Sequence, residues 1–317
     1  MTTTTVQRSN LAGALCALIA AMCFSLNDVG IKFLSDQYAL HQIVLCRALV
    51  GLVTFLAVIM PLSGGFQVVR TKRIGWHLVR GICVVLANSF LFLGLAAMPI
   101  ADAVAVFFVS PLLIALMSIV FLGETVGPRR WAAIVVGFLG VMVIVKPGTS
   151  AFQIASLFPI TAACLYGVMH IVARRIGKTE SAATMTFYIL ISFIFVSGFV
   201  GLSVGDGRYA GQGHPSYEFL LRAWGPIDLA DVPILVMLGV SGVMGGFLIS
   251  QAYRISEAAF AAPFEYVSMP MAIIWGITVF GTFPDPTAWI GIALILGSGL
   301  YLVWRETIKG RTQSMRR

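Results

Sequence analysis

Long runs of apolar residues alternate with short polar or proline-containing links along nearly the whole chain. A helix that crosses a bilayer needs roughly 20 mostly apolar residues, and most of these runs approach that length. Helix-breaking residues such as Pro61, Pro99, Pro128 and Pro147 stand in the links between them. The pattern predicts ten transmembrane helices, near 11–31, 40–60, 75–96, 101–121, 129–146, 154–173, 183–203, 232–252, 258–280 and 287–304.

One link is much longer than the others. Residues 205–231 are polar and rich in glycine, which is typical of a loop. We expect a loop here, and a short interfacial helix over 217–224 is the alternative.

Composition supports a membrane protein and argues against a soluble one. Of the 317 residues, 59% are hydrophobic and 11% are charged, and the mean hydropathy is +0.94. Soluble domains carry about 25% charged residues, so this chain has too few charges to cover a water-facing surface. The five cysteines fall within apolar runs and form no CxxC pair, so we predict neither a disulfide framework nor a zinc site.

The net charge of +8 comes from basic residues dispersed over the links. If the N-terminus is cytoplasmic, most of the 21 Lys and Arg lie in cytoplasmic segments, and only Lys146, Arg208 and Arg222 lie in links on the opposite side. An excess of basic residues on one side is the usual mark of cytoplasmic loops. We therefore predict ten spans, with a cytoplasmic N-terminus at 1–10 and a basic cytoplasmic tail at 305–317. Nucleic acid is not an expected partner.

The two halves of the chain are related by a shift of 158 residues. This shift places Gly81 on Gly239, Trp131 on Trp289, and the pair Val109-Ser110 on Val267-Ser268. Because each half contains five predicted spans, equivalent helices would cross in opposite directions. Inverted repeats of this kind build secondary transporters, which bind solute between the halves near the bilayer midplane. The predicted fold is therefore an all-α membrane protein with two inverted five-helix repeats, at 11–146 and 154–304.

Ionisable residues inside spans are expensive and usually functional. Asn27, Asp28 and Lys32 lie toward the outer end of the first span, and Arg47 lies in the second span at a similar depth. They are candidates for an outer gate or a substrate anchor. The alternative is a packing ion pair between Asp28 and Arg47, with Lys32 reaching the headgroups.

A second candidate group lies toward the cytoplasmic side. Tyr166 and His170 share a face of the sixth span, Glu265 and Tyr266 lie about two turns into the ninth, and Gln251 ends the eighth. A buried Glu beside a His could accept and release a proton, or hold a cationic part of a substrate. The alternative is that they are packing residues.

Other positions could bind substrate or bend helices. Asn88 and Ser110 place small polar groups near mid-span, where they either bind solute or bridge helices. Pro111, Pro263 and Pro270 are candidate hinges, because proline frees a backbone carbonyl and kinks a helix. Arg80, one turn into the third span, is expected to extend to the headgroups.

The sequence gives little support for an enzyme. It contains no HExxH, and its short match to GxSxG, GLSVG at 201–205, ends a predicted helical span instead of standing between a strand and a helix. We predict no catalytic residue, metal or cofactor. The expected partners are a small-molecule substrate and the lipid bilayer, and the expected state is a monomer or a homodimer. We predict a secondary transporter. The alternative is a non-transporting lipid-handling or sensory protein with the same fold.

Three segments resemble a known family. The segments from Arg80 to Glu124 and from Ala258 to Asp285 resemble the signature of EamA-type proteins in the drug/metabolite transporter superfamily, and LNDVGIKFL (26–34) is similar to the first helix of the S-adenosylmethionine uptake subgroup. The resemblance implies ten helices around a central cavity in a bacterial inner membrane. It also implies carriage of an amino acid, a vitamin or a nucleoside-like compound such as S-adenosylmethionine, driven by proton coupling or exchange.

Overall fold

The computed structural model describes residues 3–122, 127–150, 152–176, 180–211, 213–255 and 264–314, and it is all-α, with no β-strand within these ranges. We number the helices in chain order as α1 Thr3–Leu34, α2 Leu40–Thr54, α3 Ile74–Ala97, α4 Ile100–Phe107, α5 Ser110–Leu122, α6 Pro128–Val145, α7 Leu157–Ile176, α8 Ala182–Val204, α9 Pro215–Leu221, α10 Val232–Ile255, α11 Ser268–Thr278 and α12 Pro286–Ser314. Helix α2 continues through a π-helical turn, Phe55–Ile59, to Leu62.

Apolar helices occur at every predicted span. Five are long and apolar enough to cross a membrane: Leu11–Leu34, Leu40–Leu62, Ile74–Ala97, Ala182–Val204 and Val232–Ala252. Shorter apolar helices cover Ile100–Ile114, Trp131–Val145, Ile154–Met169, Ser268–Thr278 and Pro286–Leu302. Large apolar side chains point outward from these helices, as Phe199 at 73% and Leu202 at 87% exposure show on α8. The prediction of an all-α membrane protein is confirmed.

Two helices continue beyond the predicted spans. Helix α1 begins at Thr3, ahead of the apolar stretch Leu11–Leu34, and α12 runs to Ser314 through most of the predicted tail. That 1–10 and 305–317 lie in the cytoplasm stays a prediction. Within 205–231 a short helix, α9, forms at Pro215–Leu221, which is close to the helical alternative. Hydropathy marks where a chain leaves the hydrocarbon, not where its helix ends, because a helix can continue through polar residues into water.

The predicted fourth span is two helices separated by a turn at Phe108 and Val109. Pro111 has no N–H to donate to the carbonyl of Phe107, so the helix cannot continue regularly through this point. An equivalent turn at Tyr266 and Val267 precedes α11. The hinges predicted at Pro111 and Pro270 thus lie next to observed breaks, while Pro263 lies outside the described residues.

Helix contacts occur in equivalent pairs when the helices of the two halves are matched in chain order. Helix α1 packs on α10 and α7 packs on α3, while α8 packs on α3 and α2 packs on α10. Two glycines allow the last two approaches: a Cβ on Gly81 would lie 2.0 Å from Ser192 Oγ, and one on Gly239 would lie 2.5 Å from the Cβ of Val50. Equivalent helices also contact each other, as α6 contacts α12 and α4 contacts α11. This pairing supports the proposed division into inverted repeats at 11–146 and 154–304.

Candidate functional site

A buried chain of polar side chains joins three helices of the two halves. The Nδ2 of Asn27 on α1 donates to the Oγ of Ser241 on α10 at 2.6 Å, and its Oδ1 accepts from the Nη1 of Arg47 on α2 at 2.9 Å. All three side chains are buried. Sequence reasoning predicted Asn27 and Arg47 but missed Ser241, which no ionisable neighbour marks along the chain.

Two aromatic rings hold the guanidinium of Arg47 within the bundle. Its Cζ lies 4.9 Å from the ring centroid of Phe92 on α3 and 4.9 Å from that of Phe193 on α8. Arg47 is only 8% exposed, and the two ring faces offer cation–π attraction in place of water. The positive charge is thereby held at a defined depth.

The ion pair considered between Asp28 and Arg47 does not form. The carboxylate of Asp28 is half-buried and makes no hydrogen bond or ion pair to any described residue, although it lies within electrostatic range of Arg47. An acceptor without a partner therefore lies near a fixed cation. We call Asn27, Asp28, Arg47 and Ser241 the Asn27 cluster.

Lys32 does not pair with Asp28. Its Nζ donates to the carbonyl oxygens of Leu95 at 2.6 Å and Met98 at 2.7 Å, at the C-terminal end of α3. Since the last carbonyls of a helix lack intrahelical donors, Lys32 acts as a side-chain cap that binds α1 to α3. Its role in the structure is helix packing.

A second group of residues lies around the two helix breaks. The ring of Tyr166 on α7 contacts that of Phe107, with centroids 5.3 Å apart, and the ring of Tyr266 contacts that of Phe108 at 5.1 Å. Glu265 lies within electrostatic range of both tyrosines. It is helical and directly precedes the turn at Tyr266 and Val267, and its predicted position two turns into the ninth span stays a prediction because 256–263 lie outside the described residues.

The hydroxyl of Tyr266 fits against a glycine of α12. A Cβ on Gly299 would lie 1.9 Å from Tyr266 Oη, so only glycine leaves room for this group. The hydroxyl is buried and has no hydrogen-bond partner in the described part of the chain. It is therefore a polar group that the described residues leave without a hydrogen bond.

Arg80 also belongs to this second group, contrary to the sequence prediction. Its side chain is buried, and its Nη1 donates to the carbonyl of Met185 on α8 at 3.3 Å, so it does not extend to the headgroups. It lies within electrostatic range of Tyr166. The adjacent Gly81 lets α8 approach α3 closely. This glycine was the feature of the sequence that could have predicted the burial of Arg80. We call Arg80, Tyr166, Glu265 and Tyr266 the Glu265 cluster.

The remaining predicted residues do not join either cluster by a described hydrogen bond. Asn88 donates to the carbonyl of Val84 on its own helix at 3.0 Å. Ser110 is buried at the start of α5, and the Oε1 of Gln251 is buried without a partner among the described residues. The side chain of His170 lies outside the described part, so its predicted role stays a prediction.

A cap closes over the ends of α2 and α3 at one face of the bundle. It consists of residues 214–231, which include α9. Ser216 Oγ donates to the carbonyl of Leu93 at 2.7 Å, the hydroxyl of Tyr38 donates to Asp231 Oδ2 at 2.7 Å, and Gln42 Nε2 donates to the carbonyl of Gly225 at 2.6 Å. The hydrogen bond to Asp231 raises the pKa of Tyr38. The long polar segment is thus ordered by contacts with the first half of the chain.

Comparisons with known proteins agree with this architecture. Residues 11–146 match the EamA-like transporter family. The chain is 28% identical to a riboflavin transporter of Vibrio cholerae over 97% of this chain and 98% of that protein. It is 25% identical to an S-adenosylmethionine uptake transporter of Rickettsia prowazekii over 94% and 95%.

A solved crystal structure of a protein shares the fold. The TM-score is 0.62 at 18% sequence identity, and the match covers 93% of this chain and 97% of the other. Residues 11–146 therefore resemble an EamA-like transporter domain, and the solved structure shows that the fold of nearly the whole chain is shared.

Proposed function

We propose that the protein is a secondary transporter that carries a small polar metabolite of the vitamin or nucleoside-like class across a bacterial inner membrane. The observation that carries this proposal is the Asn27 cluster: a buried guanidinium held by Asn27 and two aromatic rings, beside the unpaired carboxylate of Asp28. Similarity to small-metabolite transporters over nearly the whole chain supports it.

A charge inside the hydrocarbon region is costly: a charged side chain at the centre of a spanning helix costs about 2.5–3.5 kcal/mol or more. A packing role alone would favour a direct ion pair, yet Asp28 has no direct partner among the described residues. We infer that its free acceptor and the cation of Arg47 bind a solute that presents both donors and acceptors.

The family of candidate substrates follows from the relatives and from the cluster chemistry together. Riboflavin and S-adenosylmethionine are named for two relatives, and both compounds combine a flat heterocycle with polar groups. The aromatic rings of Phe107, Phe108 and Tyr266 offer stacking surfaces for such a ring. Riboflavin and S-adenosylmethionine are therefore the first solutes to test.

Coupling to protons is the second part of the proposal. Glu265 lies beside a helix break, near two tyrosines, where a change of its charge would act on the turn whose Tyr266 contacts Phe108 of the first half. We propose that Glu265 binds and releases a proton during the cycle, and that solute exchange without a proton gradient is the alternative mode. The N- and C-termini are proposed to lie in the cytoplasm.

Uptake into proteoliposomes tests both parts. We expect accumulation of labelled riboflavin or S-adenosylmethionine, increased by an imposed pH gradient. Glu265→Gln should abolish the pH-driven accumulation and keep exchange, whereas Glu218→Gln, in α9 of the cap, should change neither. Absence of flux for a broad metabolite panel with folded protein would contradict transport. Unchanged pH-driven accumulation in Glu265→Gln would contradict the proton role alone.

A further inference from the structure

A cavity of about 220 Å³ lies at the side of the bundle between α2, α3, α8 and α9. Its wall is mostly apolar and includes Val44, Val85, Leu93 and Val200. None of the residues of the Asn27 cluster or the Glu265 cluster lines it. We call it the lateral groove.

Two buried polar side chains line the lateral groove, His41 and Ser197, each 3% exposed. The Nδ1 of His41 accepts a hydrogen bond from the indole N–H of Trp224. A neutral imidazole that accepts at Nδ1 carries its proton on Nε2. That Nε2 is buried and completes no hydrogen bond of normal geometry with a described residue, although the backbone of Leu220 offers an acceptor close to the ring. The wall of the groove therefore holds a donor whose hydrogen bond the described residues leave incomplete.

The depth of His41 matches the boundary between headgroups and hydrocarbon. It is the second residue of α2, which begins at Leu40. Tyr209, Tyr217 and Trp224 are exposed at the same face of the bundle, and aromatic residues concentrate at membrane interfaces. The ester carbonyls of phospholipids lie at this level.

The side of the groove faces hydrocarbon. Val196, Ser197 and Val200 of α8 line it, and on the same helix Phe195 and Phe199 are 72% and 73% exposed. Such large apolar side chains face acyl chains when α8 spans a bilayer. Acyl chains are therefore the molecules that lie next to the groove.

We propose that the lateral groove binds one acyl chain of a membrane phospholipid, with the lipid ester carbonyl accepting a hydrogen bond from His41 Nε2. The apolar wall takes the chain, and the buried donor takes an acceptor at ester depth. A free fatty acid has no ester carbonyl. Its carboxylate would stay among the headgroups and would not reach the depth of the ester. The site is separate from the two clusters of the proposed transport function and does not depend on it.

Photolabelling in nanodiscs tests the site. The probe is a phosphatidylethanolamine with a diazirine in one acyl chain, and labelled peptides are identified by mass spectrometry. We expect labelling to concentrate on the parts of α3 and α8 that line the groove. Ser197→Phe fills the groove and should reduce this labelling several-fold, whereas Leu202→Phe on the exposed face of α8 should not.

The role of the donor is tested by lipid retention in native mass spectrometry. His41→Phe should weaken retention about fivefold, the value of one ordinary hydrogen bond. Trp224→Phe is the matched control. Like His41→Phe, it removes the hydrogen bond between Trp224 and His41, but it leaves the imidazole in place. If Ser197→Phe does not fold, Val200→Trp fills the same groove.

Three results would overturn the proposal. The first is labelling spread evenly over all exposed apolar helices, and the second is unchanged labelling in a folded groove-filling variant. The third is displacement of the probe by riboflavin or S-adenosylmethionine, which would make the groove part of a solute path. None of these readouts requires transport activity, so their outcome is independent of the proposed function.

Discussion

Phe108 and Tyr266 stand 158 residues apart, at the offset that aligns the two halves, and their rings contact each other with centroids 5.1 Å apart. Each occupies a turn that interrupts a helix, and each turn is followed by an equivalent serine, Ser110 or Ser268. A residue meets its own counterpart only near a symmetry axis. The pair therefore marks the axis that would relate the two proposed repeats, at the place where both helices are broken.

The Phe108–Tyr266 contact should couple the two halves energetically. We expect Phe108→Ala and Tyr266→Ala to be non-additive in stability, with a coupling of about 1 kcal/mol, as for other aromatic pairs. A double-mutant cycle of unfolding in detergent measures this. The pair Phe108→Ala with Phe199→Ala, a lipid-facing position, is the control and should be additive. Additive effects for Phe108 and Tyr266 would show that the contact contributes nothing to joining the halves.

Asp28→Asn should reduce transport without reducing stability. The carboxylate makes no described hydrogen bond that the substitution would break, so the free energy of unfolding should change by less than about 0.5 kcal/mol. Loss of a charge-assisted bond to solute should lower uptake roughly tenfold or more. Asp36→Asn, at an exposed carboxylate in the link after α1, is the control for charge alone. Normal uptake by Asp28→Asn would remove Asp28 from the proposed site.

Lys32→Met should destabilise the protein by about 2 kcal/mol, because two carbonyls at the end of α3 lose their only described side-chain donor. The apolar side chain keeps similar length and remains compatible with a membrane helix. Thermal unfolding in detergent provides the measurement. Lys72→Met, at an exposed position in a link, should have little effect. Equal stability of the two variants would contradict the capping role.

Asp285 should confer a pH-dependent stability at the start of α12. Its carboxylate accepts from Lys146 Nζ at 2.6 Å, from the backbone N–H of Ala288 at 2.6 Å and from Thr287 Oγ1 at 2.8 Å, which lowers the pKa of Asp285 to about 2. Because the folded pKa lies below the unfolded value of about 4, the stabilisation is present above pH 4 and is lost as the pH falls toward 2.

Two substitutions separate the contributions of Asp285. Asp285→Asn keeps a helix N-cap and loses the charge, whereas Asp285→Ala loses both and should be less stable by about 1 kcal/mol more. The free energy of unfolding should be measured from pH 7 to pH 3. The wild type should be slightly more stable than Asp285→Asn at neutral pH and should lose this difference only at the acidic end. A difference in stability that grows as the pH falls would contradict a lowered pKa of Asp285 in the folded protein.

The spanning helices and the shift of 158 residues could be read from the sequence alone. Hydropathy is a local property, since a helix in lipid must satisfy its own backbone hydrogen bonds and cover them with apolar side chains. The prolines near the two breaks were equally readable, because the missing N–H acts on the preceding turn. Polar and charged residues inside spans marked the sites of interest for the same local reason, and Asn27 and Arg47 were found in this way.

The partners of these polar residues were decided only by the tertiary structure. Arg47 bonds to Asn27 and lies between rings of α3 and α8 instead of pairing with Asp28, Arg80 turns into the bundle, and Lys32 caps α3. Each outcome depends on how far a helix is rotated about its axis and how closely its neighbour approaches, as Gly81 allows α8 to approach α3. The sequence therefore determined which residues enter the membrane, and the packing of helices determined which of them meet.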